Sequence, residues 1–369
     1  MILKKGTFSE FAERVTQTRA PVIVYGAGVI GQTIAPRWLH AHQLDDAVLC
    51  YVDADLHKQG QFIELAGRQV PVESPNTLAQ VSKEVILLIT VSAFTPVVQT
   101  LEKLGTLQNI TAYFLPVMLL DMAHTLKSAA IPSGQEPLIP KKIHYCWFSG
   151  RPIPDSLKRC MDTWPQFCPD YEIIRWDESN YDVKQNLYMK QAYDRECWSF
   201  VSDAARLDIL YQHGGIYLDT DVELVRNFDE LLFQLGFCGM EKWGVINTGV
   251  CGAQKGNPAI KAMLDFRENC VFLRSDGSEN RLSSGFYDTV PLLKNGMRAS
   301  LETQRIFDGA MTICAPDFFQ PFDYVSGETH ITENTFSIHH FSGTWLGSEA
   351  AGERAKTRRR FQEFISLLI

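Results

Sequence analysis

The sequence predicts a two-domain α/β protein, and three observations predict it. Short Val, Ile and Leu runs alternate with helical patterns, a glycine-rich turn follows the first such run, and a Pro, Ser and Gly segment divides the chain after residue 125. With 369 residues, the chain also exceeds what one hydrophobic core usually encloses.

Taken in order, the first run is Val22 to Tyr25, which leads into Gly26-Ala27-Gly28-Val29-Ile30-Gly31 and a helical pattern through Leu39. The next, Val48 to Val52, ends in Asp53. That acid falls about twenty residues past the glycines, where a dinucleotide-binding fold places the carboxylate that meets ribose. Val85 to Thr90 is almost purely Val, Ile and Leu, as a strand buried on both faces should be. Residues 1–125 therefore read as a small, Rossmann-like parallel domain. Residues 126–139, with Pro132 and Pro137 and closed by Pro140, read as a linker. Residues 140–369 read as a second α/β domain, with strands at Lys142 to Phe148, Tyr171 to Arg175, Ile216 to Leu218 and Gly236 to Met240, and a helix over Phe200 to His213. The tail places Arg354, Lys356, Arg358, Arg359 and Arg360 ahead of Phe361, Phe364, Ile365 and Leu368. This is an amphipathic helix with a basic end, which either packs on its domain or makes a peripheral membrane contact.

Composition narrows the function classes. A formal charge of -8 argues against nucleic acid as a partner, since phosphates demand a basic face. Nine cysteines are scattered without paired metal-ligand spacing, and several, such as Cys146 and Cys238, sit in apolar runs. A reducing compartment fits that usage. The opening Met1-Ile2-Leu3-Lys4-Lys5 lacks the apolar stretch of a secretory signal. A cytoplasmic protein, in reach of the inner face of the membrane, is the expectation.

Chemistry concentrates in Ser202-Asp203-Ala204-Ala205-Arg206-Leu207-Asp208 and, after Gly214-Gly215, in Ile216-Tyr217-Leu218-Asp219-Thr220-Asp221. On an extended segment Asp219 and Asp221 would project to one side about 6 to 7 Å apart. Their repulsion is relieved by a divalent cation, and oxygen ligands of this kind suit Mg²⁺ or Mn²⁺ with positions left for water and diphosphate oxygens. Asp203 and Arg206 lie three apart on one helix face, placed for sugar hydroxyls and phosphate or simply paired with each other. A D-x-D alone also occurs by chance on surfaces.

The order of motifs adds weight. Ile143-His144-Tyr145-Cys146-Trp147-Phe148-Ser149-Gly150, then Asp203 and Arg206, then Gly214 to Asp221, then His339-His340 to Trp345 together resemble the DXD-containing sugar-transferase family. That family includes bacterial capsule and lipopolysaccharide glycosyltransferases and fungal mannosyltransferases, with clostridial glucosylating toxins as distant relatives. The resemblance spans residues 139 to about 346. It implies a GT-A type glycosyltransferase domain, a nucleoside-diphosphate sugar donor with UDP-sugar first in line, a Mn²⁺ or Mg²⁺ ion, and retention of anomeric configuration.

Position by position, the resemblance makes Trp147 the aromatic that stacks on the donor base, against the alternative of a half-buried core residue. It makes Asp203 and Arg206 contacts of donor sugar and phosphate, Tyr217 and Asp219 donor contacts, and Asp221 the direct metal ligand. Asn247, in Ile246-Asn247-Thr248-Gly249-Val250, becomes a sugar hydroxyl contact or a turn asparagine. His339 or His340 completes the metal or diphosphate site, and Trp345 caps the leaving diphosphate. Ser284-Gly285-Phe286 departs from the Thr-Gly-Pro of many relatives, which leaves the acceptor open between a glycan and a lipid-linked molecule.

In the first domain, Gly60 to Pro71 resembles the small nucleotide-binding domain that precedes some bacterial sugar acyltransferases. Docking, nucleotide-sugar binding and dinucleotide binding all remain open for it. The leading expectation for the chain is a transferase of surface polysaccharide assembly. Its rivals are a protein-modifying, effector-like glycosyltransferase and an NAD-dependent nucleotide-sugar oxidoreductase.

Overall fold

The computed structural model describes residues 1–91, 94–104, 109–126, 131, 134, 136–343 and 358. Trp345 and the tail helix expected from Arg354 to Leu368 lie outside that set, Arg358 excepted. The chain divides into two compact units, Met1–Thr125 with Val325–Gly327, and Leu126–Tyr324 resuming at Glu328.

In the first unit the order is β1 (Ile2–Lys4), α1 (Phe8–Thr18), β2 (Val22–Tyr25), α2 (Ala35–Ala41), β3 (Val48–Val52), β4 (Phe62–Leu65), β5 (Arg68–Glu73), β6 (Val85–Ile89), α3 (Phe94–Lys103), β7 (Ile110–Phe114) and α4 (Leu115–His124). The strands form one sheet in the order β1-β7-β6-β2-β3-β5-β4. Every neighbouring pair is parallel except the β4–β5 hairpin. β2 and β6 are buried along their whole length, which is why their sequence carries no polar alternation. A Cβ on Gly31 would lie 1.9 Å from the Gly26 carbonyl, so the turn admits only glycine there.

Asp53 does something other than wait for ribose. Its Oδ2 accepts from the Ala27 N–H at 2.7 Å and from Lys58 Nζ at 3.1 Å, while Oδ1 accepts from the Asp55 N–H at 2.9 Å. Burial pushes this carboxyl up, but the Asp55 and Ala27 amides and Lys58 outweigh it and hold it below its ordinary value. The acid closes the glycine loop from within.

The second unit contains β8 (Lys142–Cys146), α5 (Asp155–Met161), α6 (Thr163–Phe167), β9 (Glu172–Trp176), α7 (Leu187–Asp194), α8 (Trp198–His213), β10 (Gly215–Leu218), β11 (Val222–Leu224), β12 (Gly236–Met240), β13 (Ile246–Ala253), α9 (Pro258–Glu268), α10 (Ser284–Leu293), β14 (Gln304–Ile306), β15 (Met311–Cys314), α11 (Pro316–Phe319) and β16 (Ser337–His339). A mixed sheet runs β14-β15-β12-β13-β10-β8-β9, and β11 pairs with β16 as a separate ribbon. Beneath the sheet and ribbon, Trp164, Phe228, Phe237, Phe318, Phe319 and Phe336 form an aromatic core. Within the segment expected to be linker, Ile139 is buried in that same core, and Leu138 and Ile139 donate their amides to the Leu232 carbonyl.

The D-x-D is not extended. β10 ends at Leu218, and the Val222 N–H returns to the Asp219 carbonyl at 3.0 Å, which makes Asp219 to Val222 a tight turn between β10 and β11. The two carboxylates therefore meet through a turn, not through the alternation of a strand.

His144, fully buried on β8, ties three pieces of this unit together. Its Nδ1 accepts from Trp176 Nε1 at 3.1 Å, so Nε2 carries the proton and donates to the Gly214 carbonyl at 2.8 Å. Burial drives its pKa down to about 4, with the Gly214 carbonyl opposing and His213 adding to the shift. A histidine in the unfolded chain titrates near 6.5. The stability this neutral ring contributes is therefore present above that pH and is lost as the pH falls toward the folded value. Urea melts followed by tryptophan fluorescence should show a loss of about 2 kcal/mol between pH 7.5 and 5.0 that is missing in His144→Gln. Equal pH slopes in the two proteins would remove His144 as the cause.

Candidate active site

Two glycines and a helix bring the acids into place. α8 ends at Gly214, which takes φ +66°, and Gly215 follows at φ +106° with its hydrogen facing the His144 ring. No larger residue fits, because a Cβ on Gly215 would sit 2.8 Å from His144 Nε2. The chain thereby reverses at once into β10, and Asp219 emerges beside the α8 residue Arg206.

Arg206 is buried, with 5% of its side chain exposed, and its Nη2 lies 2.9 Å from both Asp203 Oδ1 and Asp219 Oδ1. Its Nε donates to the Ser202 carbonyl, and its guanidinium covers the Tyr217 ring at 4.9 Å. Burial pulls the guanidinium pKa down, but Asp219, Tyr217 and Asp203 more than restore it. Asp203 is raised as well, which for an acid disfavours the charged form: burial raises its carboxyl, and Arg206 only partly offsets that.

The remaining partners arrive from the far end of the chain. In the β11–β16 ribbon Val222 is opposite His339, which sets the imidazole beside the turn acids. His339 Nε2 lies 3.2 Å from Asp221 Oδ1 and 3.9 Å from Asp219 Oδ2. The ring stacks on Phe341 at 4.1 Å, and its buried Nδ1 has no partner among the described residues. Asp221 Oδ2 accepts from both the amide and the hydroxyl of Ser342, at 2.8 and 2.6 Å. Burial raises the Asp221 carboxyl, yet His339 and Ser342 outweigh it and keep it well below the carboxylate range. His339 is held above its ordinary value, because Asp221 and Asp219 outweigh its burial.

Asp219, Asp221 and His339 each offer one ligand atom, and these atoms lie within 4.8 Å of one another. In each acid the other oxygen is already bound, to Arg206 in Asp219 and to Ser342 in Asp221. Gly249 forms the floor: a Cβ there would lie 2.5 Å from Asp219 Oδ2 and 2.8 Å from the His339 ring. Asn247 stands beside it, with Oδ1 accepting from the Gly249 N–H and Nδ2 donating to Glu241 Oε1.

Tyr217 and His340 fall elsewhere than the sequence suggests. Tyr217 is 1% exposed under the Arg206 guanidinium, so it supports that cation and offers no face to a donor. His340 turns away from the acids and bonds Glu223 at 2.8 Å, because neighbours on a strand point to opposite faces. Trp147 follows β8 half-buried, with its indole N–H on the Arg151 carbonyl, and makes no bond to the cluster among the described residues. Ser342 and Gly249 are the contributors that the sequence reading passed over, although both lie inside motifs it singled out.

Residues 154–237 match the family described as "glycosyltransferase sugar-binding region containing DXD motif". The DXD sugar-transferase region thus lies within the second unit, from the start of α5 into β12. The family match takes in Asp203, Arg206, Asp219 and Asp221, and stops short of Asn247 and His339. Over 138 residues the chain is 35% identical to inositol phosphoceramide mannosyltransferase 3 of Schizosaccharomyces pombe, covering 35% of this chain and 37% of that protein. Over 184 residues it is 29% identical to subversion of eukaryotic traffic protein A of Legionella pneumophila, covering 40% of this chain and 28% of that protein. The chain thus spans about a third of the length of these curated relatives. A solved structure named PaToxG Glycosyltransferase superposes with a TM-score of 0.35 at 21% identity, over 43% of this chain and 69% of that one.

For a DXD transferase with this geometry, the two histidines should separate cleanly. His339→Ala should weaken Mn²⁺ uptake, measured by loss of the free-ion EPR signal, by at least about tenfold, whereas His340→Ala should leave it within about twofold. The reverse ranking would reassign the third ligand.

Proposed function

We infer that the chain is a retaining glycosyltransferase that moves a sugar from a nucleoside-diphosphate donor, UDP-sugar first, to a hydroxyl of a glycan or lipid-linked acceptor. The observation that carries this reading is the convergence of one ligand atom each from Asp219, Asp221 and His339 within 4.8 Å, with His339 Nε2 3.9 Å from Asp219 Oδ2 and 3.2 Å from Asp221 Oδ1. Two carboxylate oxygens and one imidazole nitrogen are a hard-to-borderline donor set that suits Mn²⁺ or Mg²⁺ with positions left for diphosphate. When bound, such an ion neutralises the charge that builds on the departing diphosphate.

The chain's own residues fix the rest. Arg206 holds Asp219 in one orientation and brings a buried positive charge to the same place, which favours an anionic leaving group. Asp203 shares that charge from the same helix face, and the family resemblance makes it a donor-sugar contact. Asn247 retains one amide N–H and one lone pair beyond its bonds to Glu241 and Gly249, enough to address a sugar hydroxyl. With the described carboxylates engaged in these roles, transfer proceeds from the front face. The acceptor oxygen bonds to the anomeric carbon, the bond from that carbon to diphosphate breaks, and the acceptor proton passes to a diphosphate oxygen.

A lipid-linked acceptor draws support from the relatives named as inositol phosphoceramide mannosyltransferases, and it agrees with a role in surface polysaccharide assembly at the inner face of the membrane. A protein acceptor is the second reading, supported by the Legionella relative named for subverting eukaryotic traffic. Labelled donor incubated with cell lysate separates the two by where the label lands.

Replacing Asp221 with Ala removes a ligand and should cost at least about two orders of magnitude in transfer, equivalent to several kcal/mol of leaving-group stabilisation. A near-normal rate in that variant would speak against the metal site. Anomer-resolved NMR of the product should show retention, and an inverted product would overturn the front-face route. A thermal-shift panel of UDP-, GDP- and dTDP-sugars should stabilise the protein with one base preferred, and only with Mn²⁺ present.

A further inference from the structure

Behind Arg206 runs a second set of polar groups that no substrate can reach. Arg206 Nη1 donates to Thr248 Oγ1 at 3.4 Å, and Thr248 Oγ1 donates to Asp288 Oδ2 at 3.2 Å. Asp288 Oδ1 in turn accepts from Arg267 Nε at 2.7 Å, and Arg267 Nη2 reaches the Ser284 carbonyl at 3.3 Å. Thr248, Asp288 and Arg267 are all 0% exposed. The chain of bonds therefore links α9 and α10, through β13, to the one oxygen of Asp219 that faces away from the ligand cluster.

The direction of each bond is dictated. An ionised carboxylate only accepts, so the Thr248 hydroxyl must point its hydrogen at Asp288. That leaves its lone pairs for the Arg206 N–H. Arg267 balances Asp288, which would otherwise be a lone buried charge. α10 is also pinned to β13 at this spot, since Ile246 N donates to Thr289 Oγ1 at 3.0 Å and a Cβ on Gly285 would lie 2.6 Å from the Ile246 carbonyl. The hydroxyl thus cannot drift from the guanidinium without moving a helix.

Ser202 holds Arg206 at Nε and Tyr217 lies under its guanidinium, but Nη2 is shared between two carboxylates, and Thr248 is the side chain that fixes Nη1. Without the Thr248 hydroxyl, a small rotation of the guanidinium shifts Nη2 toward Asp203 and loosens its hold on Asp219. We propose that Thr248, Asp288 and Arg267 are positioning residues that act through Arg206 to keep Asp219 Oδ2 aimed at the cation. This rests on reading Asp219, Asp221 and His339 as a metal site, and it extends the site to β13, α9 and α10, outside the family match.

The experiment is a Mn²⁺ titration of the full chain, read by the free-ion EPR signal, for wild type, Thr248→Val and Thr248→Ser. The valine has nearly the same shape and no hydroxyl, and it should weaken Mn²⁺ binding about tenfold; serine restores the hydroxyl and should bind within about twofold of wild type. Urea midpoints identify a variant that has lost its fold, and in that case Thr248→Cys, with a thiol that is only a weak donor and acceptor, takes the place of valine and should weaken binding likewise. Wild-type affinity in the variant that lacks the hydroxyl, or weakening by serine equal to that by valine, overturns the positioning role while leaving the metal site standing. A wild-type chain that takes up no Mn²⁺ overturns the metal site and the positioning role together.

Discussion

A buried guanidinium shared by two carboxylates is the constraint on which the site depends. Two acids on neighbouring elements, each more than three-quarters buried at the side chain, repel and lose hydration on folding. Arg206 compensates both with one nitrogen, and in doing so it occupies one oxygen of Asp219. Ser342 does the same for Asp221 by donating twice to a single oxygen. The outcome is a pair of carboxylates whose free oxygens are selected before any ligand arrives. Preorganisation of this kind matters more than the count of acids, because a ligand that had to turn the carboxylates itself would have to supply the ordering free energy.

That arrangement requires closure over a long stretch of chain. His339 stands 118 positions beyond Asp221, and a ribbon of only three residues on each side joins them. Short ladders are weak alone, so this one is held by what lies under it. Trp164 donates its indole N–H to the Val222 carbonyl at 2.8 Å, Thr163 accepts from the Leu224 amide at 2.9 Å, and Phe336 stacks between Phe228 and Phe318. The aromatic core beneath the ribbon is thus part of how the histidine reaches the acids, since it offsets the entropy of closing so long a loop.

The sequence disclosed the elements whose local pattern suffices. Val22–Tyr25 and Gly236–Met240 are bounded as their apolar runs suggest, because burial on both faces leaves a strand no polar residues to blur its edges, and Val48–Val52 keeps its expected bounds although Leu49 is exposed. It also disclosed Asp203, Arg206, Asp219 and Asp221 as a group, since they are charges set in otherwise apolar surroundings. What it could not disclose is register. His339 and His340 are adjacent and chemically identical, and only the pairing of β16 with β11 decides which of them faces the acids. The turn at Asp219 was hidden for a related reason: the hydrogen bond from Val222 that closes it looks, in sequence, like the continuation of a strand. Tyr217, a donor contact by resemblance, is instead buried under the Arg206 guanidinium, a packing of α8 on β10 that carries no local signal. Thr248 and Asp288 carry no local signal at all, being forty residues apart and joined only through packing.

The two units treat their acids in opposite ways, and the contrast separates a structural carboxylate from one available for chemistry. Asp53 in the first unit has both oxygens bonded within its own loop, by two backbone amides and a lysine. Those bonds hold the glycine turn closed, and losing them would leave the Ala27 amide in need of a new acceptor. Asp219 and Asp221 each retain an oxygen directed at an imidazole and at each other's neighbourhood, a grouping of negative charge that protein contacts alone leave only partly balanced. An acid with both oxygens engaged by its own fold stabilises that fold. An acid whose fold leaves one oxygen turned inward toward others of its kind is poised for a cation, and on that ground the chemistry belongs to the second unit.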